Sequence, residues 1–218
     1  MWVLNHTARE NLKPELVHLA NSAGSLNYPA SQISMVRPGL SLFGINPGYQ
    51  SADHPQLEPI LSLYSQIAFI RKSVGEGTPI SYDRNYYTSC PTDIATIPVG
   101  YNDGYRRLFA NQALHGKTAE VIIQGIPAPV AGKITMDYTM IDVGHIPEVH
   151  VGDKVTLIGK HGDYEITVEN LAEKALTIPY DIFCGLSRRV VRLYRIEKDG
   201  EFMPADKVLE KIDKVVVS

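Results

Sequence analysis

The sequence predicts an α+β protein of 218 residues, with an opening segment of α/β character over 1–55, a mainly β domain over 56–200 and a tail over 201–218. Three observations predict it. Short apolar runs in the opening segment end in Gly, Ser and Pro; runs rich in β-branched and aromatic residues, separated by turn signals, fill the middle; and one capped helical stretch interrupts them after Thr167.

In the opening segment, LVHLANSAG (16–24) begins apolar and ends in small residues, and MVRPGLSLFGINPG (35–48) is broken by Pro38, Gly39, Gly44, Pro47 and Gly48. Small residues after short buried strands are the pattern of loops at the end of an α/β barrel. SADHPQLEP (51–59) reads as a linker. Strands then follow: LYSQIAFIRKS (63–73), DIATIPVGY (93–101), AEVIIQGIPAPVAGKITMDYTMIDV (119–143), DKVTLIGK (153–160) and SRRVVRLYRI (187–196). HGK (115–117) and HGD (161–163) are turn signals between them. Pro127 and Pro129 place their strand at a sheet edge or a bulge, because proline donates no ladder hydrogen bond. Thr167 is an N-cap candidate for VENLAEKAL (168–176), with Glu169 in the first turn, where the helix dipole favours a negative charge. ADKVLEKIDKVVVS (205–218) reads as a short amphipathic helix.

Composition narrows the class. Hydrophobic residues are 44% and charged residues 21%, as in a soluble globular protein. The net charge of −3 gives no electrostatic ground for a nucleic-acid or anionic-membrane partner. Two cysteines make no disulfide framework and suit a reducing cytosol. The opening MWVLNHTARENLKPE has no apolar core of a signal peptide, and no run approaches the ~20 apolar residues of a membrane helix. A cytoplasmic location is the expectation.

Individual residues leave alternatives open. Asn21-Ser22 and Gly39-Leu40 suit close backbone approach to a phosphate, but each read alone is a turn before it is a phosphate site, since turns use these residues routinely. Arg37, between Val36 and Pro38, either faces an anion or a cofactor ring or caps a strand end. His18, inside LVHLA, reads alone as a hydrogen-bonded core residue before a catalyst. His115, His145, His150 and His161 have no metal-ligand spacing. SYDRNYY (81–87) and VGYNDGYRR (99–107) set tyrosines beside Gly, Asp and Arg. These are core or rim tyrosines, or acid–bases if cations such as Arg84, Arg106 or Arg107 lie near. Cys184 has no nucleophile signature around it and reads as a buried structural thiol.

Taken in order, HLANSAG (18–24), MVRPGLSLFG (35–44), ISYDRNY (80–86), TIPVGYNDGYRR (96–107), GKITMDYTMIDV (132–143) and CGLSRRVVR (184–192) resemble segments of the bacterial alanine racemase family. That is a fold-type III family dependent on pyridoxal 5'-phosphate (PLP), and the resemblance covers residues 12–195. It implies a (β/α)8 barrel followed by a β domain, in a head-to-tail homodimer whose sites each combine one subunit's barrel with the other's β domain. Residues 1–55 would be the end of the PLP-binding barrel. The implied reaction interconverts L- and D-alanine, supplying D-alanine for peptidoglycan.

The resemblance also implies roles, position by position. Ser22 binds the PLP phosphate, with His18 and Asn21 nearby, and Gly39 and Leu40 match backbone phosphate donors. Arg37 donates to the pyridine nitrogen. An Arg keeps its own proton and so leaves that nitrogen largely unprotonated, which weakens the electron sink and suppresses side reactions. Tyr82 is one of two catalytic acid–bases, as racemisation needs a base on each face. Tyr101 and Arg107 match the site wall, Met136 and Asp137 match the contact to the substrate carboxylate through backbone from the partner subunit, and Lys133 is counted with them among the substrate-binding residues.

The sequence departs from the family in stated places. Nothing resembles the VVKANAYGHG-like motif whose lysine holds PLP as a Schiff base and acts as the other base. A chain without it is expected to be inactive alone and to need a full-length or N-terminal racemase chain as partner. Asp83 stands where the family usually has Gly, Lys133 where it has Arg, Arg188 where it has a phosphate-binding Tyr, and VVR (190–192) where it has VPR. The competing expectation is a non-catalytic ligand- or protein-binding β module descended from the racemase.

Overall fold

The computed structural model describes residues 6–7, 9–12, 14–48, 55–110, 118–195 and 202–204. The amphipathic helix expected over 205–218, the turn at 115–117 and part of the 51–59 linker lie outside the described residues. The chain divides into two compact units, Met1–Ser62 and Leu63–Ser218.

In the first unit, β1 (His18–Asn21) runs parallel to β2 (Met35–Arg37), with Asn21 opposite Arg37. Between them lies α1 (Ser22–Asn27), capped by the Asn21 side chain, whose Oδ1 accepts from the Gly24 N–H at 2.9 Å. A 3₁₀ turn, Leu40–Phe43, follows β2. Of these two strands only Ala20 is buried, because among the described residues β1 and β2 pair with each other alone and leave their other side chains uncovered, as expected of barrel strands without their neighbours.

The second unit is built on two sheets. In one, β7 (Thr92–Ile97) lies between β4 (Phe69–Val74) and β10 (Thr139–Asp142), antiparallel to both. In the other, β11 (Lys154–His161) pairs with β3 (Leu63–Gln66), β8 (Glu120–Ile123) and β12 (Tyr164–Ile166). Val155, Thr156, Leu157 and Ile158 are all buried, which is why this central strand shows no apolar–polar alternation. The outermost strand, β9 (Ile126–Pro129), pairs only with β8, and Pro127 and Pro129 sit on that edge as their chemistry requires. A small hairpin joins β5 (Pro79–Ile80) to β6 (Tyr86–Tyr87).

Two elements differ from expectation. The single strand expected over 63–73 is two, broken at Ile67, because the chain changes sheets there: the Ile67 N–H donates to Asp153 and the Ala68 N–H to Thr96, and Ile67 fills the corner at 1% exposure. The strand expected over 187–196 begins with a turn, in which the Val190 N–H donates to Ser187, and only β13 (Leu193–Arg195) is extended, against β14 (Phe202–Pro204).

Thr167 caps α2 (Val168–Lys174) as expected, through a reciprocal pair: its hydroxyl accepts from Asn170 N–H at 3.1 Å and Asn170 Oδ1 accepts from Thr167 N–H at 3.0 Å. Val168, Leu171 and Ala172 form the buried stripe. A second helix, α3 (Pro179–Gly185), follows. Its sequence PYDIFCG lacks strong helix formers, so propensity did not reveal it, although proline at the first helical position marks its start. Thr167→Ala is expected to destabilise the fold by about 1 kcal/mol. The urea midpoint should fall with no change in slope.

Candidate active site

The residues singled out from the sequence fall in both units. In the first, β1 and β2 bring Asn21, Ser22, Arg37, Gly39 and Leu40 to the C-terminal ends of two parallel strands, where α/β folds place ligands, whereas His18 opens β1 at the opposite end, across from Met35. Ser22 is 2% exposed. Its Oγ accepts from the Gly39 N–H at 2.8 Å and from Ser41 N–H at 3.4 Å, tying the start of α1 to the turn after β2. A side chain at Gly39 would meet only Ser22 Oγ, at 4.0 Å, so there is room beside this backbone. Leu40 opens its 3₁₀ turn, and its N–H has no acceptor inside that turn. A hydroxyl among backbone N–H groups can hold a phosphate. Asn21 is engaged as the α1 cap. His18 is exposed on β1 and is no core residue. Arg37 is also exposed, with Nη2 3.4 Å from the Leu19 carbonyl.

In the second unit, Tyr82 stands on the loop between β5 and β6, its side chain 70% exposed. Ser81, Asp83 and Arg84 have φ of 64°, 60° and 50°. Left-handed conformations in non-glycine residues cost on the order of 1–3 kcal/mol each and persist where neighbours enforce them. The neighbours are visible. Ser81 Oγ donates to the Lys133 carbonyl at 2.7 Å. Gly132, at φ +77°, approaches so closely that a Cβ there would lie 2.5 Å from the Ile80 carbonyl oxygen. Tyr86, beyond the loop, donates its hydroxyl to Asp142 Oδ2 at 2.7 Å. Burial, and then that hydrogen bond, push the Tyr86 hydroxyl well above the ordinary tyrosine range, so it stays a donor.

This conformation accounts for a departure. Asp83 takes a left-handed position that suits Gly, and aspartate is among the residues that tolerate it. Its carboxylate pairs with Lys133 Nζ. The Lys133 hydrogen bond and charge, with a smaller contribution from Arg107, hold the Asp83 carboxyl below its ordinary value. That contribution to stability is present above the ordinary carboxylate value and lost as pH falls through the lowered one. Arg106 is committed to α3 instead, with Nη2 2.7 Å from Asp181 Oδ1.

Tyr101 and Met136 share a second locus. The Tyr101 N–H donates to Thr135 and the Asn102 N–H to Met136, each at 3.0 Å. Gly100 permits this: a Cβ there would sit 2.2 Å from the Met136 carbonyl oxygen. Asp103, buried, accepts from the Gly100 N–H at 2.9 Å. Arg189 spans two carboxylates, with Nη1 2.7 Å from Asp137 Oδ1 and Nε 3.3 Å from Asp103 Oδ1. The 100–104 turn, the Met136–Asp137 loop and the segment after α3 are thereby clasped together. Asp103 and Arg189 lie within the VGYNDGYRR and CGLSRRVVR segments, where little local marks them as site residues. An acid in a Gly-rich turn and a second Arg after SR were the only signals. Cys184, expected to be buried, is exposed on α3. Among the described residues, no cluster of His, Cys, Asp and Glu could hold a metal, and no helix is long and apolar enough to cross a membrane.

An α/β segment followed by a mainly β unit that carries an exposed tyrosine narrows the class of protein. Comparison with known proteins makes it specific. The alanine racemase C-terminal domain model matches residues 60–194 and the N-terminal domain model residues 1–47. Alanine racemase of Halothermothrix orenii is 43% identical over 183 residues, covering 84% of this chain and 46% of the relative. Alanine racemase 2 of Caldanaerobacter subterraneus is 38% identical over 192 residues, covering 88% and 48%. The crystal structure of alanine racemase from Bacillus anthracis with bound L-Ala-P superposes with a TM-score of 0.81 at 34% identity, covering 95% of this chain and 52% of that one. The chain belongs to the alanine racemase family. It spans about half the length of the curated relatives it matches.

Proposed function

We propose that the chain is the C-terminal part of an alanine racemase, with residues 1–55 closing the PLP-binding barrel and 56–200 forming the β domain. The observation that carries the reading is the buried Ser22 hydroxyl, which accepts from the Gly39 N–H and keeps its own proton to donate, beside the open Gly39 backbone, a setting that fits the PLP phosphate. Ser22 with the Gly39 and Leu40 amides would hold that phosphate, beside His18 and Asn21. Arg37 would donate to the ring nitrogen and keep it unprotonated. When bound, PLP supplies delocalisation of the charge left at the substrate α carbon. Tyr82 would move the proton on one face through its Oη, and Tyr101 and Arg107 would line the approach. Met136, through its backbone, and Asp137 would orient the substrate carboxylate. A head-to-tail homodimer, or pairing with an N-terminal racemase chain, would bring the two groups of residues to one site in the cytoplasm, where D-alanine enters peptidoglycan.

The test is D-alanine formation from L-alanine. No turnover is expected from the 218-residue chain with excess PLP, because no lysine here matches the one that links PLP covalently and serves as the second base. Borohydride should fix no stoichiometric PLP on any lysine. Adding a racemase N-terminal chain that carries the lysine motif should restore turnover. Robust activity from the chain alone would show that another lysine has taken the role. No activity with any complement would favour the non-catalytic module.

A further inference from the structure

Tyr82 is held in an unusual way. Its ring is 70% exposed, so packing does little to orient it, and its direction depends on the backbone beneath. That backbone is left-handed at Ser81, Asp83 and Arg84, a geometry that an isolated loop of these residues would leave. What opposes it is one neighbouring segment, Gly132-Lys133. Gly132 fits closely under Ile80, the Lys133 carbonyl accepts from Ser81 Oγ at 2.7 Å, and the Lys133 ammonium pairs with Asp83. The first two contacts fix the loop's entry. The ion pair is the only one of the three that reaches past Tyr82.

We propose that Asp83 and Lys133 form a positioning pair, which closes the loop on the far side of Tyr82 and so sets the direction of its hydroxyl. The pair acts on the reaction through Tyr82. It rests on the racemase reading for its purpose, though not for its geometry.

The test is NMR of the 218-residue chain carrying ring-labelled tyrosine, with the Tyr82 signal identified by its loss in Tyr82→Phe. Asp83→Asn keeps a residue that tolerates the left-handed conformation and removes the charge. Lys133→Met keeps the stem and removes the ammonium. Each is expected to move the Tyr82 ring signal and the amide signals of Ser81 to Arg84, while the β7 and β10 amides stay in place. Lys133→Arg should restore the unaltered positions. Raising salt to about 1 M, where the screening length falls to about 3 Å, should shift the unaltered chain in the same direction as the variants. Tyr82 and loop signals unmoved by both charge removals would overturn the proposal. If either variant does not fold, an unaltered chain whose Tyr82 signal ignores salt overturns it equally. Because no readout requires turnover, a failed pair and a failed racemase reading are told apart.

Discussion

Tyr82→Phe is expected to lower α-proton exchange from L-alanine by about 10²–10⁴-fold in the assembled racemase, the usual contribution of one positioned acid–base group. Only the hydroxyl is removed. The ring is mostly exposed and the loop contacts come from Ser81 and Asp83, so folding should be unaffected. PLP should remain bound, since the residues proposed to hold it lie on β1, α1 and the turn after β2. Exchange measured separately from L- and D-alanine in deuterated water gives the assignment. Loss confined to the L side assigns Tyr82 to that face. Unchanged exchange from L-alanine would remove Tyr82 from the chemistry.

How much of this was legible in the sequence depends on what kind of force decides each feature. Local chemistry was readable: the Thr167 cap, the Pro127–Pro129 edge strand and the turn at His161–Asp163 follow from side chains acting on their own backbone. Sheet assignment was not. The residues 63–74 have strand propensity throughout, and only pairing with β11 on one side and β7 on the other determines that the chain breaks at Ile67. The helix α3 was hidden because its stability comes from tertiary packing, with Ile182 buried, and not from its composition. Among the candidate site residues, motif order singled out Tyr82, Ser22 and Met136. The long-range partners that hold them could not be read. Asp83 and Lys133 are 50 positions apart, and Asp137 and Arg189 are 52 apart. No local periodicity links such pairs.

Gly100→Ala is expected to have a large structural effect for a single added methyl. The added carbon would lie 2.2 Å from the Met136 carbonyl oxygen and 2.4 Å from that of Thr135. Both obstacles are backbone, so no side-chain rotation relieves them. Either the 100–104 turn or the Met136–Asp137 loop must move. Moving either loses the hydrogen bonds from Tyr101 and Asn102, each worth about 1 kcal/mol, in addition to about 1–3 kcal/mol for overpacking. The Arg189 clasp resists the displacement, because its two carboxylate partners sit on the two segments being pushed apart. A destabilisation of roughly 3–5 kcal/mol follows, read as a lowered urea midpoint. In the assembled enzyme the same shift moves the Met136 backbone proposed to orient the substrate carboxylate. A displacement near 1 Å is enough for about a 10²-fold loss of rate, so kcat/KM should fall even at temperatures where the variant remains folded. A variant of unaltered stability and activity would show that the two loops are not held in register by this contact.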